Sequence, residues 1–294
     1  MGDPNDLDAA AAAFATLRPR LFGIAYRMMS SASEAEDLVQ DTWLRWQAYD
    51  RGTVSDPGAF LATTITRLAI NALQSARVRR ETYIGPWLPE PVDTTADPYL
   101  GAERGEALSF AVLMLLEKLN PTERAAYVLR EAFAYPYPQI SDILSITEVS
   151  ARQLVSRAKK HLAEERRTPV ADADQQRLLK AFVTAARDGD LAKLEQLLAA
   201  DVISFSDGGG KVRQVSKFPV LGVDRVAKFH KAFASHFWTG VDVSYTRVND
   251  QPAALLSNGG TVFGVLVLNI VADGIDRVMW VMNPAKITAI PSLP

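Results

Sequence analysis

Residues 145–162 repeat their apolar side chains at helical spacing, and no other stretch limits the possible folds as much. Ala151, Leu154, Val155, Ala158 and Leu162 fall on one side of a 3.6-residue wheel. Ser150, Arg152, Gln153, Ser156, Arg157 and Lys160 lie outside that apolar stripe. A packed inner face with a cationic, amide-bearing outer face suits a helix that enters the major groove of DNA. Thr147 is placed to cap this helix, and Glu148 to sit against its positive end. A solvated surface helix would carry the same pattern, so the preceding segment decides. Residues 137–144 read as a short helix, with Pro138 in its first turn and Ile140, Ile143 and Leu144 facing inward. Ser145-Ile146 then forms the turn of a helix-turn-helix, with Ser145 where glycine is common. A left-handed Ser there costs about 1 kcal/mol relative to Gly. Residues 119–130 predict a further helix, capped by Asn120 or Thr122. Together these segments predict a small all-α DNA-binding domain.

The rest of the chain is longer than such a domain needs. Its 294 residues leave room for two or three domains. It has no cysteine, which excludes disulfides, thiolate catalysis and zinc-thiolate fingers. Three scattered histidines, His161, His230 and His236, argue against a dedicated metal site, and no cofactor is expected. The sequence carries no leader pattern and no run of about 18 apolar residues, so a cytoplasmic protein without a membrane partner is expected. The net charge of −2 hides local contrast. Residues 67–80 hold Arg67, Arg77, Arg79 and Arg80 and no acid, whereas residues 81–106 hold six acids against Arg104. Segregated charge of this kind creates local fields that the sum conceals.

Three blocks follow from periodicity. Residues 9–80 read as helical throughout, with Pro19 marking an early turn or a kink. The second helix begins with Ser33-x-x-Glu36 as a capping box. It buries Leu38, Val39, Thr42, Trp43 and Trp46 and exposes Asp37, Gln40, Asp41 and Leu44. An apolar Leu amid acids fits a protein-binding surface. Residues 81–99 are a proline-rich acidic linker anchored by Trp87 and Leu88. Residues 100–167 hold the helix-turn-helix. Residues 171–290 change texture: helices over 175–187, 191–200 and 223–237 accompany strand-like runs separated by Asn258-Gly-Gly260 and Asp273-Gly274. The predicted fold is therefore multidomain: two all-α domains, then an α+β cone with a curved antiparallel sheet.

The order and spacing of these motifs resemble the extracytoplasmic-function (ECF) sigma factors, the promoter-recognition subunits of bacterial RNA polymerase. Glu36-Asp-Leu-Val-Gln-Asp41 is similar to the family's grip on the polymerase clamp helices. The resemblance implies core contacts by Asp37, Gln40, Asp41 and Leu44. Residues 59–71, continuing to Arg77, Arg79 and Arg80, resemble the part that melts and reads the −10 element. It implies −10 contacts by Arg67, Asn71, Arg77, Arg79 and Arg80. Phe60 stands where Trp is usual, and Asn71 where Asp is common. Residues 116–162 resemble the −35 reader, which also meets the polymerase flap. There Ser150, Arg152, Gln153, Ser156, Arg157 and Lys160 would meet DNA, with Arg suited to guanine and Gln to adenine.

The third block resembles SnoaL-like domains of the NTF2-like superfamily. Trp87-Leu-Pro-Glu-Pro91, Asp207-Gly-Gly-Gly-Lys211 and Asn283-Pro-Ala-Lys-Ile287 resemble motifs of the ECF41 type. In that group the extension is thought to modulate sigma activity in place of a separate anti-sigma protein. Such a chain is not an enzyme. The block still offers a possible pocket with Asp207, His230, Trp238, Trp280 and Asn283, joined by Phe205, Phe229, Phe233, Tyr245 and His236. A small-ligand sensor, a vestigial isomerase or hydrolase using an Asp–His pair, and a plain packed core are the alternatives it leaves.

Overall fold

The computed structural model describes residues 7–94, 108–163, 165, 167–212, 215–288 and 290. Pro98, Glu103, Arg104, Glu106, Arg166 and the expected start of the second helical domain at residue 100 lie outside the described residues. The chain packs as two compact units. One holds the chain up to Glu81 together with Val112–Glu165. The other holds the segment that begins at Thr82, the short piece Ser109–Ala111 and the chain after Glu165.

The first unit is helical. Helices α1 (Leu7–Met29), α2 (Ala32–Ala48) and α3 (Pro57–Glu81) pack together. Pro19 sits inside a continuous α1, with buried residues on both sides of it, among them Phe14, Leu21, Phe22 and Ile24. The cap of α2 is Ser31 rather than Ser33: the Glu34 amide donates to Ser31 Oγ at 3.2 Å. That choice starts the helix one turn-fraction earlier and buries Ala32 and Ala35. Trp46 is buried and Trp43 half-buried, with Trp43 packed on Phe14 at 5.1 Å. Phe60 packs against Trp46 and Tyr49.

Helix α4 (Phe110–Leu116) leads into α5 (Pro121–Tyr127), where Asn120 Oδ1 accepts from the Glu123 amide at 2.9 Å. A π-helical turn, Val128–Ala132, continues α5. Helices α6 (Tyr137–Leu144) and α7 (Glu148–Ala163) complete the helix-turn-helix. Ile140 and Ile143 of α6 and Ala151, Val155, Ala158 and Leu162 of α7 are buried.

The second unit is α+β. Helices α8 (Asp172–Asp188) and α9 (Leu191–Leu197) precede strand β1 (Leu198–Asp207). After β2 (Val220–Leu221) and α10 (Val223–Phe237) come β3 (Asp242–Val248), β4 (Gln251–Asn258), β5 (Thr261–Val271) and β6 (Gly274–Val281). The sheet order is β2-β1-β6-β5-β4-β3. β3 to β6 form an antiparallel meander, but β1 pairs with β6 in parallel, so the sheet is mixed rather than purely antiparallel. The pairing of Leu198 with Ile275 also turns the last residues of the expected 191–200 helix into strand. Tertiary pairing overrides the helix preference of Leu-Ala-Ala. The core lies between this sheet and α8–α10, around Phe182, Leu194, Val226, Trp238, Leu266 and Trp280.

Candidate nucleic-acid interface and linker clasp

Helix α2 turns Asp37, Gln40, Asp41 and Leu44 to solvent, while Leu38, Val39 and Thr42 are buried on its other side. Leu44 is 54% exposed, so an apolar side chain stands among acids with nothing covering it in its own unit. Helical spacing alone produces this stripe, since positions 37, 40, 41 and 44 share one face.

The cations of α3 behave differently. Asn71 is exposed. Arg67 reaches the helix-turn-helix: its Nε donates to the Ile143 carbonyl at 3.0 Å and its Nη2 to Ser145 Oγ at 2.7 Å. Ser145 is left-handed, with φ of 55°, and forms the end of α6. Its hydroxyl therefore returns a hydrogen bond for the strain of a side chain at that position. Arg79 pairs with Glu34. Arg80 pairs with Glu117 and donates to the Met29 carbonyl. The side chain of Arg77 lies outside the described residues. Arg67, Arg79 and Arg80 thus each engage an acid, a hydroxyl or a carbonyl, although Arg67 and Arg79 remain exposed.

Glu117 centres a cluster that residue spacing did not reveal. Arg124 donates to it at 2.6 Å, to Ser30 Oγ at 2.6 Å and to the Arg27 carbonyl at 3.0 Å. Arg124 is 1% exposed. Burial alone would raise the Glu117 pKa, but Arg124 and Arg80 outweigh it and hold the carboxyl below its ordinary range. Burial pulls the Arg124 guanidinium below its ordinary range against the attraction of Glu117. The one available signal was a charged residue on the inward side of α5.

On α7, Arg152, Gln153, Ser156, Arg157 and Lys160 are exposed and Ser150 is half-buried. Thr147 caps the helix, accepting from the Ser150 amide at 3.1 Å. Arg152 pairs with Glu148 and lies 4.3 Å from the Tyr137 ring centroid. Arg157 lies 3.7 Å from Glu123. The Arg152–Glu148 pair is exposed, worth at most about 1 kcal/mol, and a phosphate or base edge can replace it, whereas Arg157 lies over a buried Glu123.

In the second unit, the linker is fastened to the sheet at two places. At the first, Asp207, fully buried, accepts from the Tyr83 hydroxyl, from the Leu88 amide at 2.9 Å and from Lys286 Nζ at 2.8 Å. Lys286 also donates to the Leu88 carbonyl and lies 4.0 Å from the Trp87 ring centroid. Asn283 donates to the Tyr83 oxygen at 2.7 Å. Burial first, then the Asp207 carboxylate, push the Tyr83 phenol well above its ordinary range, so it remains a donor. Gly209 is required here: its φ is +58°, and a Cβ would meet the Asn283 side chain at 2.4 Å. At the second place, the Val92 amide donates to Asn249 Oδ1 at 2.9 Å and the Asn249 amide to the Val92 carbonyl at 3.0 Å. Tyr83 and Asn249 were not among the residues expected at this site. Neither lies in a spaced motif, and each acts through contacts distant in sequence.

The structure divides the expected pocket residues. His230, Trp238 and Trp280 line a cavity of about 30 Å³, together with Phe229, Phe233 and Phe237. Asp207 and Asn283 belong to the linker clasp instead: alternation along β1 sends Asp207 to the opposite face from Ser206, and Asn283, just past the end of β6, reaches the Tyr83 hydroxyl. Phe205 and Tyr245 are not in the cavity wall, and His236 is exposed. The Asp–His pair is therefore not formed. His230 Nδ1 donates to the Val226 carbonyl at 2.8 Å, and its Nε2 accepts from the Trp280 indole at 3.1 Å. Burial lowers the His230 pKa to about 4, so the ring is neutral near pH 7 and both its nitrogens are engaged.

Among the described residues, no helix is long and apolar enough to cross a membrane and no cluster could hold a metal ion. Family models match Sigma-70 region 2 at residues 13–79 and Sigma-70 region 4 at residues 109–162. The chain is 34% identical to the ECF RNA polymerase sigma factor SigJ of Mycobacterium tuberculosis H37Rv, over 95% of this chain and 93% of that protein. It is 30% identical to a probable ECF RNA polymerase sigma factor, SigI, of the same species, over 95% of each chain. The crystal structure of M. tuberculosis SigJ superposes with a TM-score of 0.77 at 29% identity, covering 96% of this chain and all of that one.

Proposed function

Because the chain belongs to the extracytoplasmic-function RNA polymerase sigma factors, we propose a division of labour among its surfaces. The protein directs transcription initiation through promoter recognition by regions 2 and 4. The polymerase supplies the chemistry, and this chain supplies sequence recognition and strand opening in the cytoplasm. Asp37, Gln40, Asp41 and Leu44 on α2 meet the polymerase clamp helices. Region 4 meets the flap and reads the −35 element through Ser150, Arg152, Gln153, Ser156, Arg157 and Lys160. Arg67, Asn71, Arg77, Arg79 and Arg80 serve the −10 element.

The observation that carries this reading is the split surface of α7, with its apolar face buried and its Arg and Gln side chains exposed. Arg152→Ala is expected to weaken binding of the polymerase holoenzyme at one −35 base position by about 1–3 kcal/mol. Binding to a panel of −35 variants measures this. An equal loss at every sequence would make Arg152 a phosphate contact.

Region 2 and region 4 hold each other through Arg67 and Glu117. The −10 and −35 elements lie about 25 base pairs apart, or about 85 Å of duplex at 3.4 Å per base pair. Arg67 cannot hold the α6–α7 turn while α3 and α7 occupy sites so far apart. The form described here is therefore a free state that must open on the promoter.

The C-terminal domain is, in this reading, a SnoaL-like extension of the ECF41 type. It modulates the sigma domains through the fastened linker, and no separate anti-sigma protein is required. Support comes from the convergence of all three motifs, Trp87–Pro91, Asp207–Lys211 and Asn283–Ile287, at the clasp. A second reading, a small-ligand sensor, is favoured by the cavity beside His230. The isomerase or hydrolase reading loses its acid–base pair.

A further inference from the structure

Arg152 stands near the amino end of α7, the part of a recognition helix that meets base edges. Its side chain is exposed, yet two groups hold its guanidinium, one from each helix of the helix-turn-helix. Glu148, one turn earlier on α7, accepts from Arg152 Nη2. Tyr137, the first residue of α6, lies under it, with the Arg152 Cζ 4.3 Å from the ring centroid. The same ring carries a second cation. The Arg130 Cζ lies 4.7 Å from its centroid, and Arg130 Nη1 donates to the Tyr135 carbonyl at 2.9 Å. Arg130 comes from the π-helical turn, so the ring is braced by an element that does not read DNA. Tyr137 is half-buried between Pro136 and Pro138, and these prolines fix φ on either side of it.

The two partners of Arg152 differ in what they leave free. Glu148 occupies an edge N–H of the guanidinium, and edge donors are what guanine O6 and N7 accept. Its carboxylate also repels the phosphates beside a base, so DNA displaces that pair. An aromatic ring attracts a cation through its face and uses none of the forked donors when the planes stack. It has no charge to repel a phosphate. An arginine that reaches a base from solvent loses rotamer freedom on binding. A seated ring beneath the guanidinium removes part of that freedom beforehand, and less is then lost on contact.

We propose that Tyr137 is a positioning residue for −35 recognition: its ring, braced by Arg130, holds the Arg152 guanidinium ready for a bidentate contact with guanine. This role rests on the reading of Arg152 as a base contact, so the two are tested separately.

The full chain, assembled with core polymerase, is titrated with two promoters that differ at the −35 base identified by Arg152→Ala. The ratio of the two affinities is the readout. A general loss of folding or docking weakens both and leaves the ratio unchanged. Tyr137→Leu is expected to reduce the ratio about two- to fivefold, and Tyr137→Phe, which keeps the ring, to preserve it. In an Arg152→Ala background, Tyr137→Leu should reduce it no further. An unchanged ratio in Tyr137→Leu, an equal reduction in Tyr137→Phe, or a further reduction in the Arg152→Ala background overturns the platform. A uniform loss in Arg152→Ala overturns the base contact and the platform with it. If Tyr137→Leu does not fold, the Arg152 Nε–H NMR signal of the unaltered chain decides. A ring under the guanidinium moves that signal upfield of those of other exposed arginines, and an unshifted signal overturns the platform.

Discussion

Two buried charge clusters, one in each unit, fasten segments far apart in sequence, and they are built on opposite principles. Around Glu117, Arg80 and Arg124 share one carboxylate, Arg80 also lies 3.8 Å from Glu34, which Arg79 pairs with in turn, and the remaining donors go to Ser30 and to backbone carbonyls, so three arginines face two carboxylates. Around Asp207, one lysine meets one carboxylate, and the backbone amides of Leu88 and Gly209 and the Tyr83 phenol also donate to it. The first cluster has a surplus cation. In the proposed reading, where regions 2 and 4 separate on a promoter, Arg80 would move to a phosphate while Arg124 keeps Glu117. The second cluster has no surplus charge. Opening it would expose Asp207 and Lys286, 0% and 6% exposed, with no partner waiting for either. On that reading, charge stoichiometry separates the joint proposed to open on nucleic acid from the one proposed to hold.

That contrast breaks most severely at Asp207. Asp207→Asn leaves the Lys286 charge buried without a carboxylate, and is expected to destabilise the second unit by about 3–5 kcal/mol in denaturant unfolding. Promoter-dependent transcription by the same variant should change as the linker is released. A loss below 1 kcal/mol would mean that the clasp is no tighter than an exposed ion pair.

Glu117→Gln should cost the helical unit about 2 kcal/mol, because the amide retains hydrogen bonding but leaves Arg124 uncompensated. The folded pKa of Glu117 lies below its unfolded value. Its contribution is therefore fully present above the ordinary Glu range and lost as pH falls through the depressed folded pKa. Unfolding curves of wild type and Glu117→Gln across acid pH should converge; parallel curves would exclude Glu117 as the titrating group.

The smallest effect is expected at Ser145. Ser145→Gly relieves the left-handed strain, worth about 1 kcal/mol, and removes the hydroxyl that Arg67 reaches. The two changes should nearly cancel in thermal unfolding, within about 0.5 kcal/mol, because the Arg67 bond is exposed to solvent. A gain of a full 1 kcal/mol would show that Arg67 adds nothing to the joint.

Period and cap chemistry made much of this molecule legible. The 3.6-residue pattern separated the buried Ala151, Val155 and Ala158 from the exposed Arg152 and Arg157, and Thr147 caps α7 as its position suggests. Similar local logic placed the helix over Val223–Phe237 and the turns at Asn258-Gly-Gly260 and Asp273-Gly274. Caps read less well where two candidates compete, as Ser31 displaced Ser33. The motifs at Asp207 and Asn283 were visible, but their assignment to a pocket was not correct. Adjacent strand residues point to opposite faces, and one face meets the cavity while the other meets the linker.

Chain-local spacing carried most of the helices and the apolar faces of α2 and α7, while the end of the 191–197 helix was left to strand pairing. The sequence by itself also determined that the carboxyl-terminal block differs in kind from the helices before it. Tertiary structure alone decided that β1 runs parallel to β6, that Arg67 and Arg80 bind the rest of their own unit, and that Asp207 holds the linker rather than His230. Each of these depends on pairing between residues some 40 to 125 positions apart, where no periodicity reaches. Their energies come from desolvated charge and strand register, which exist only once the distant partner has arrived.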